Sequence, residues 1–405
     1  MTNAWFVARG VGPEAMAAVN LVAPVLLLLG AVSTTVGIGG ASLVSRRLGA
    51  DDPAGAARAT GNAFAVFWAT AAVVTTVGLL AIEPLLTLLG ARGDTRGDAR
   101  EYAIVIIAGA VVSTGFSSLV RAEGRMRFST LLWVVPVLVQ ITLDPLLIFG
   151  FDLGVRGAAL GTVGGQAVSA AMSVWFFFLQ RRRPYRIRLG DLRFHRPTVG
   201  ALFSVGAPSF LAGAGTTLLA VLVNNSLAHV GGAVALAAYA VCVRIQTFVM
   251  MPQLGISQGL QPIVGFNAGR RLHDRVRRTR VLALRATLIY GSVVATAVVL
   301  LAGPLVGMFL DESPARTAAT QALRIIAIGL VFAGVAPLVS AYFQALGRPT
   351  PSYLISVGTL LAVKVPVVLL LSHLGTTGVW VGLAAGEVLS ALAALVIKAF
   401  VPPGR

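Results

Sequence analysis

Residues 15–45 read AMAAVNLVAPVLLLLGAVSTTVGIGGASLVS, 31 positions without a formal charge. At ~1.5 Å per residue this is a helix of about 46 Å, longer than the ~30 Å hydrocarbon layer, so it tilts or projects beyond the lipid. Further uncharged runs follow at 59–82, 102–120, 128–143, 157–180, 197–243, 245–269, 286–310, 325–347 and 349–363, the last continuing past Lys364, with 388–397 behind Glu387. Most reach the ~20 residues that a spanning helix needs. The run 197–243 holds 47 residues; a helix to about His229, a turn at Gly231-Gly232 and the start of the next helix divide it. The reading is eleven helices.

Composition excludes the alternatives. Hydrophobic residues make up 57% of the 405 and charged residues 12%, whereas soluble domains carry roughly a quarter charged residues. The single cysteine, Cys242, rules out an intrachain disulfide, a Cys-based zinc site and an iron–sulfur cluster. A net charge of +17 suggests nucleic acid only when the cations share one folded face, and here they stand in short clusters between apolar runs. Membrane topology accounts for them instead. Alternate connections hold 22 Arg and Lys residues, concentrated in Arg181–Arg196 and Arg270–Arg280, against 6 on the opposite side, so the Arg-rich set and the C-terminus are expected in the cytoplasm of a multi-pass protein of the cell membrane.

The chain also repeats itself. An offset near 220 aligns Glu14–Val19 with Val234–Tyr239, Gly39 and Gly49 with Gly259 and Gly269, and Pro84-Leu85 with Pro304-Leu305. Gly124-Arg125 then meets Gly347-Arg348, and Leu153-Gly154 meets Leu374-Gly375. An ordered series of this kind marks two homologous halves, as in secondary transporters whose two bundles rock about a central site. The first helix of the second half has only residues 1–10 as its partner, so the expected count is twelve helices with the first truncated. The expected fold is therefore all-α: a polytopic membrane protein of two pseudo-symmetric six-helix bundles, with eleven full helices and a fragment of the first. The expected lobes are 1–183 and 198–405, joined by a basic cytoplasmic linker, 184–197.

Catalytic readings fail. His195, His229, His273 and His373 are isolated, and HExxH, GxSxG and Walker-type phosphate loops are absent, so no enzymatic activity and no cofactor are expected. Gly37-Ile38-Gly39-Gly40 follows no strand and reads as close helix packing. Asp144 is different. An intramembrane carboxylate costs several kcal/mol unless protonated, paired or hydrated, which makes function its default reading. Pro145 leaves the Ile141 carbonyl without its helical N–H partner, and Gln140 lies one turn before Asp144 on the same face. Among the other intramembrane charges, Glu387 and Lys364 read as a pair or a second coupling site, and Arg244 as a helix-end anchor or a substrate contact. Phe64, Trp68, Met250 and Met251 are candidates for a substrate cavity, against ordinary packing.

Four stretches together resemble the multidrug and toxic compound extrusion (MATE) family, in the branch of the staphylococcal cationic-drug pumps. They are Gly12–Leu21, Leu43–Ala50, Leu143-Asp144-Pro145 with Gly154–Ala159, and Gly259–Gly269. Tyr342–Gly347 adds to them. The resemblance implies two six-helix lobes and export of amphipathic organic cations in exchange for H⁺ or Na⁺. It also implies an ion site in the N-terminal lobe made of Gln140, Asp144 and Thr162, with the Ala158 carbonyl; the first-helix position that carries a carboxylate in such proteins falls on Asn3. The expected partners are small amphipathic cations and the lipid bilayer, with no nucleic acid, and the chain is expected to be monomeric. The alternatives are a flippase of lipid-linked oligosaccharides from the same superfamily, a paralogue without transport, and an integral membrane enzyme.

Overall fold

The computed structural model describes residues 6–7, 10–91, 95–112, 116–180 and 183–401, and these are helical without any strand. Hydrocarbon offers no hydrogen bonds, so each spanning segment satisfies its own backbone, and a helix does this locally. The elements are α1 (Pro13–Gly49), α2 (Pro53–Leu80), α3 (Thr95–Ala108), α4 (Ser117–Ala122), α5 (Met126–Gly150) and α6 (Gly154–Leu179). After them come α7 (Arg196–Gly269), α8 (His273–Leu300), α9 (Pro314–Leu330), α10 (Val335–Ala345), α11 (Pro349–Ser372) and α12 (Gly375–Phe400). Local signals set several starts. Asp52 caps α2 by accepting from the Gly55 N–H at 2.7 Å, with Pro53 following, and Ser313 caps α9 before Pro314 in the same way.

Ten segments are long and apolar enough to cross a membrane. One of them, α7, has 74 residues and is two spans, because Gly232 adopts φ 57°, ψ −150° and breaks it where the Gly231-Gly232 turn is expected. The described residues therefore contain eleven spans. Two apolar runs depart from a single straight helix. The run 102–120 leaves α-geometry after Ala108 for a 3₁₀ turn, Gly109–Val112. The run 325–347 breaks between Leu330 and Val335, where Pro337 removes an N–H and its ring crowds the carbonyl four residues back, on Ala333.

The repeat extends to backbone detail. α2 and α8 both have 28 residues, at an offset of 220. Left-handed backbone recurs in pairs: Gly12 with Gly232, Asp51 with Arg271, Gly124 with Gly347, and Gly154 with Gly375. Such conformations cost energy for most residues, so four matched pairs mark one helix plan used twice.

The chain divides into two compact units, Met1–Gly206 and Ala207–Arg405. In the first, one core surrounds Phe64, Phe67, Phe116, Phe176 and Leu202, and another surrounds Val22, Leu86, Tyr102 and Ile107. In the second, Leu227, Leu323 and Trp380 belong to one core, and Val339, Tyr342 and Phe343 to another. Lipid tails are as apolar as Leu, so close packing of small residues carries helix association. The Gly37–Gly40 run acts this way: a Cβ on Gly39 would strike the Leu202 carbonyl at the start of α7, and one on Gly40 would lie 2.7 Å from Leu119.

The segment after α6 packs against the first unit. Asn62 donates to the carbonyls of Asp191 and Arg193 and accepts from the His195 N–H, while Gly61 lies beneath the Asp191 carbonyl. Nearby, Arg183 pairs with Glu123 in the turn between α4 and α5, and both side chains are almost completely enclosed.

Candidate functional site

Three glycines one turn apart on α6, Gly157, Gly161 and Gly165, let α5 approach at backbone distance. A Cβ on Gly157 would lie 2.9 Å from the Leu147 carbonyl, and one on Gly165 would lie 2.8 Å from the Pro136 carbonyl. Between them, a Cβ on Gly161 would strike Asp144 Oδ1. This ridge of small residues encloses the carboxylate. Asp144 is 0% exposed, and neither of its oxygens has a hydrogen-bond partner among the described residues.

Among the described residues, the groups around it are polar and uncharged. Gln140 donates from Nε2 to Thr162 Oγ1 at 3.1 Å, and Thr162 donates to the Ala158 carbonyl at 3.1 Å. The Gln140 amide also faces Asp144 without closing a hydrogen bond of good geometry. From α3, the buried Tyr102 brings its hydroxyl towards Thr162 and within the field of Asp144. Pro145 ends the regular α-helix and a wider π-turn, Leu146–Gly150, follows, so α5 is irregular directly beside the acid. Among the described residues no Arg, Lys or His forms an ion pair with Asp144. No group of three His, Cys, Asp or Glu suited to a transition metal occurs among them either. The cluster is a carboxylate among neutral oxygens, chemistry that suits a proton or an alkali cation.

Gln140, Asp144, Ala158 and Thr162 thus converge in the first unit, while Asn3 lies outside the described residues. Tyr102 is the member that sequence reasoning missed, because a tyrosine in an apolar run reads as packing. In the second unit, Lys364 Nζ lies 2.6 Å from Glu387 Oε1, with the lysine at the end of a π-turn and Gly386 against its stem. Arg244 is exposed and forms no ion pair among the described residues. Phe64 is fully buried, packed on Phe116 at 4.0 Å and on Trp68 at 5.2 Å between ring centroids. Met250 is half-buried and Met251 exposed.

The MatE family profile matches residues 1–146 and 208–370, one stretch in each half and most of the chain. The chain belongs to the MatE family. It is 28% identical over 406 residues to the multidrug export protein MepA of Staphylococcus saprophyticus, covering 98% of this chain and 88% of the relative. The MepA protein of Staphylococcus aureus is 27% identical over 405 residues with the same coverage. A crystal structure described as MATE in the bent conformation superposes with a TM-score of 0.91 at 26% identity, covering 98% of this chain and 90% of the other. The helix plan, the duplicated halves and the polytopic membrane assignment are those of MatE proteins.

Proposed function

We propose that this MatE protein is a secondary multidrug exporter that moves amphipathic organic cations out of the cell in exchange for entering H⁺ or Na⁺. The observation that carries the coupling is Asp144: a carboxylate enclosed by α5 and α6, ringed by neutral oxygens, without a counter-cation among the described residues. A bare charge there is costly, so the site favours the states in which a proton or an alkali ion neutralises it. Binding and release of that ion at a bistable bundle couples ion flow to the direction in which the substrate cavity opens. Exchange of one monovalent organic cation for one proton is electroneutral, so each pH unit supports about a tenfold substrate gradient. The MepA relatives are named as multidrug export proteins, which supports the export of drugs.

The test is efflux of a cationic dye from vesicles containing the full chain, with a pH or a sodium gradient imposed separately. One of the two gradients should drive the dye uphill; equal dye movement without either would overturn coupled export.

Orientation belongs to the same proposal: the Arg-rich connections and the C-terminus face the cytoplasm of the cell membrane. Reporter fusions at 184–196 and 270–280 should read as cytoplasmic and those near Asp311 as external. The opposite pattern would reverse the assignment.

Glu387→Gln should lower efflux less than threefold, because the pair with Lys364 makes Glu387 a helix-joining partner within the second unit. A loss as complete as that of a coupling-site variant would make this pair part of the ion path.

A further inference from the structure

Where α9 gives way to α10, between Leu330 and Val335, the second unit gathers buried oxygen atoms that the Asp144 site does not use. Two belong to side chains. Gln253 of α7 is 2% exposed and Thr287 of α8 is 1% exposed, and neither Gln253 Oε1 nor Thr287 Oγ1 has a hydrogen-bond partner among the described residues. Both side chains close on Gly334 in the break, where a Cβ would lie 2.7 Å from Gln253 Oε1 and 2.7 Å from Thr287 Cγ2.

The other oxygens are backbone carbonyls. Gln253 Nε2 reaches the Leu330 carbonyl at 3.5 Å, too long for a strong hydrogen bond. Gly291, one turn after Thr287, lies against the carbonyls of Val331 and Leu330, which a Cβ would meet at 2.6 and 3.1 Å. In the same break the Ala333 carbonyl has no helical donor, because Pro337 carries no N–H. Acceptors therefore outnumber donors. Within a membrane that surplus is costly, and a water, which donates at most twice, relieves less of it than a dehydrated alkali cation held by several such oxygens. The C-terminal end of α9 adds the partial negative charge of its last carbonyls, and interrupted spanning helices present such ends to alkali ions.

We propose that this interruption binds one dehydrated alkali cation, held by Gln253 Oε1, Thr287 Oγ1 and the carbonyls of Leu330 and Val331. The ion ties α7 and α8 to the end of α9 at the break. This site lies within the second unit and does not depend on Asp144, which belongs to the first.

The experiment uses the full chain carrying Asp144→Asn, purified in detergent, so that an ion at Asp144 does not contribute. Its melting temperature is followed as NaCl or KCl replaces choline chloride at constant ionic strength, because a ligand of the folded state raises that temperature with its concentration. Sodium or potassium should raise it saturably. Thr287→Val and Gln253→Leu, each added to Asp144→Asn, should weaken the ion at least about tenfold, the scale on which loss of even an indirect metal contact acts. Thr287→Ser keeps the hydroxyl and should keep the response. In choline, Thr287→Val should melt no lower than its parent, since exchanging an unpartnered buried hydroxyl for a methyl strands no group; this separates loss of the ion from loss of the fold. If Gln253→Leu does not fold, Thr287→Val alone decides. Identical melting in all three salts would make a buried water the occupant and overturn the proposal. So would an ion response that the Gln253 and Thr287 variants leave undiminished, because the ion would then bind elsewhere.

Discussion

Asp144→Asn should abolish uphill efflux of a cationic dye while leaving the amount of protein in the membrane unchanged. The substitution keeps the shape of the side chain, which matters because Gly161 leaves no room beside Oδ1. It removes a buried charge that no cation compensates among the described residues, so folding loses nothing electrostatically. What disappears is the ability to bind and release the coupling ion. Under two pH units of gradient, one-for-one exchange sustains about a hundredfold dye gradient, and without coupling the ratio should fall to about one. Asp144→Glu retains the charge but adds a methylene against the α6 backbone, so it should lower both abundance and efflux. Gradient-driven efflux at full strength from Asp144→Asn, at normal abundance, would remove Asp144 from the mechanism.

Residues of the site were legible to different degrees, for physical reasons. Asp144 stands out because a charge in an apolar run has no cheap structural explanation, and Gln140 follows from its one-turn spacing. The glycines at 157, 161 and 165 were not singled out in the sequence, and only the structure shows that α5 packs on them and that Asp144 is the group enclosed. Tyr102 was not legible: its side chain is polar only at the tip, and Thr162, which its hydroxyl approaches, lies 60 positions away. The fold was read from uncharged run lengths and from the repeat, including the break at Gly231-Gly232. The interruption before Val335 was not, because residues 325–347 carry no charge and Pro337 in a long apolar run is compatible with a kink as well as a break.

The cation at the end of the first lobe was read too simply. Arg183 counted only as one of many residues that set topology, yet it is paired with Glu123, donates to the Phe177 carbonyl at 2.6 Å, and lies within 5.0 Å of the ring centroids of Phe176, Phe177 and Tyr185. Nothing in a run of arginines distinguishes the one that folds inward. The distinguishing group is Glu123, far away in sequence and placed by the left-handed turn at Gly124.

Arg183→Ala should therefore destabilise the protein severely, because it leaves Glu123 buried without its counter-charge. Breaking a buried pair from one side costs about 3–5 kcal/mol, a large part of the total stability of a protein. Glu123→Ala should cost a similar amount by stranding the guanidinium. Arg183→Lys should rescue little: an ammonium cannot serve the two Glu123 oxygens, the Phe177 carbonyl and three aromatic faces together. The double variant Glu123→Leu/Arg183→Met should be much less damaged than the sum of the single losses, since it strands no charge. Tyr185 extends the network by donating to Glu123 Oε1 at 2.6 Å and meeting Thr60 Oγ1 at 2.7 Å. Burial, then the Glu123 charge, raises the Tyr185 pKa well above the ordinary 10.0. A raised pKa means that the folded state holds the neutral form, so this contribution is complete below pH 10.0 and declines as pH rises beyond it. Melting temperatures of purified protein in one detergent would test the series, with Tyr185→Phe expected to lose that alkaline decline. Additive losses in the double variant would mean that Arg183 and Glu123 act independently and that the linker is held elsewhere, at Asn62.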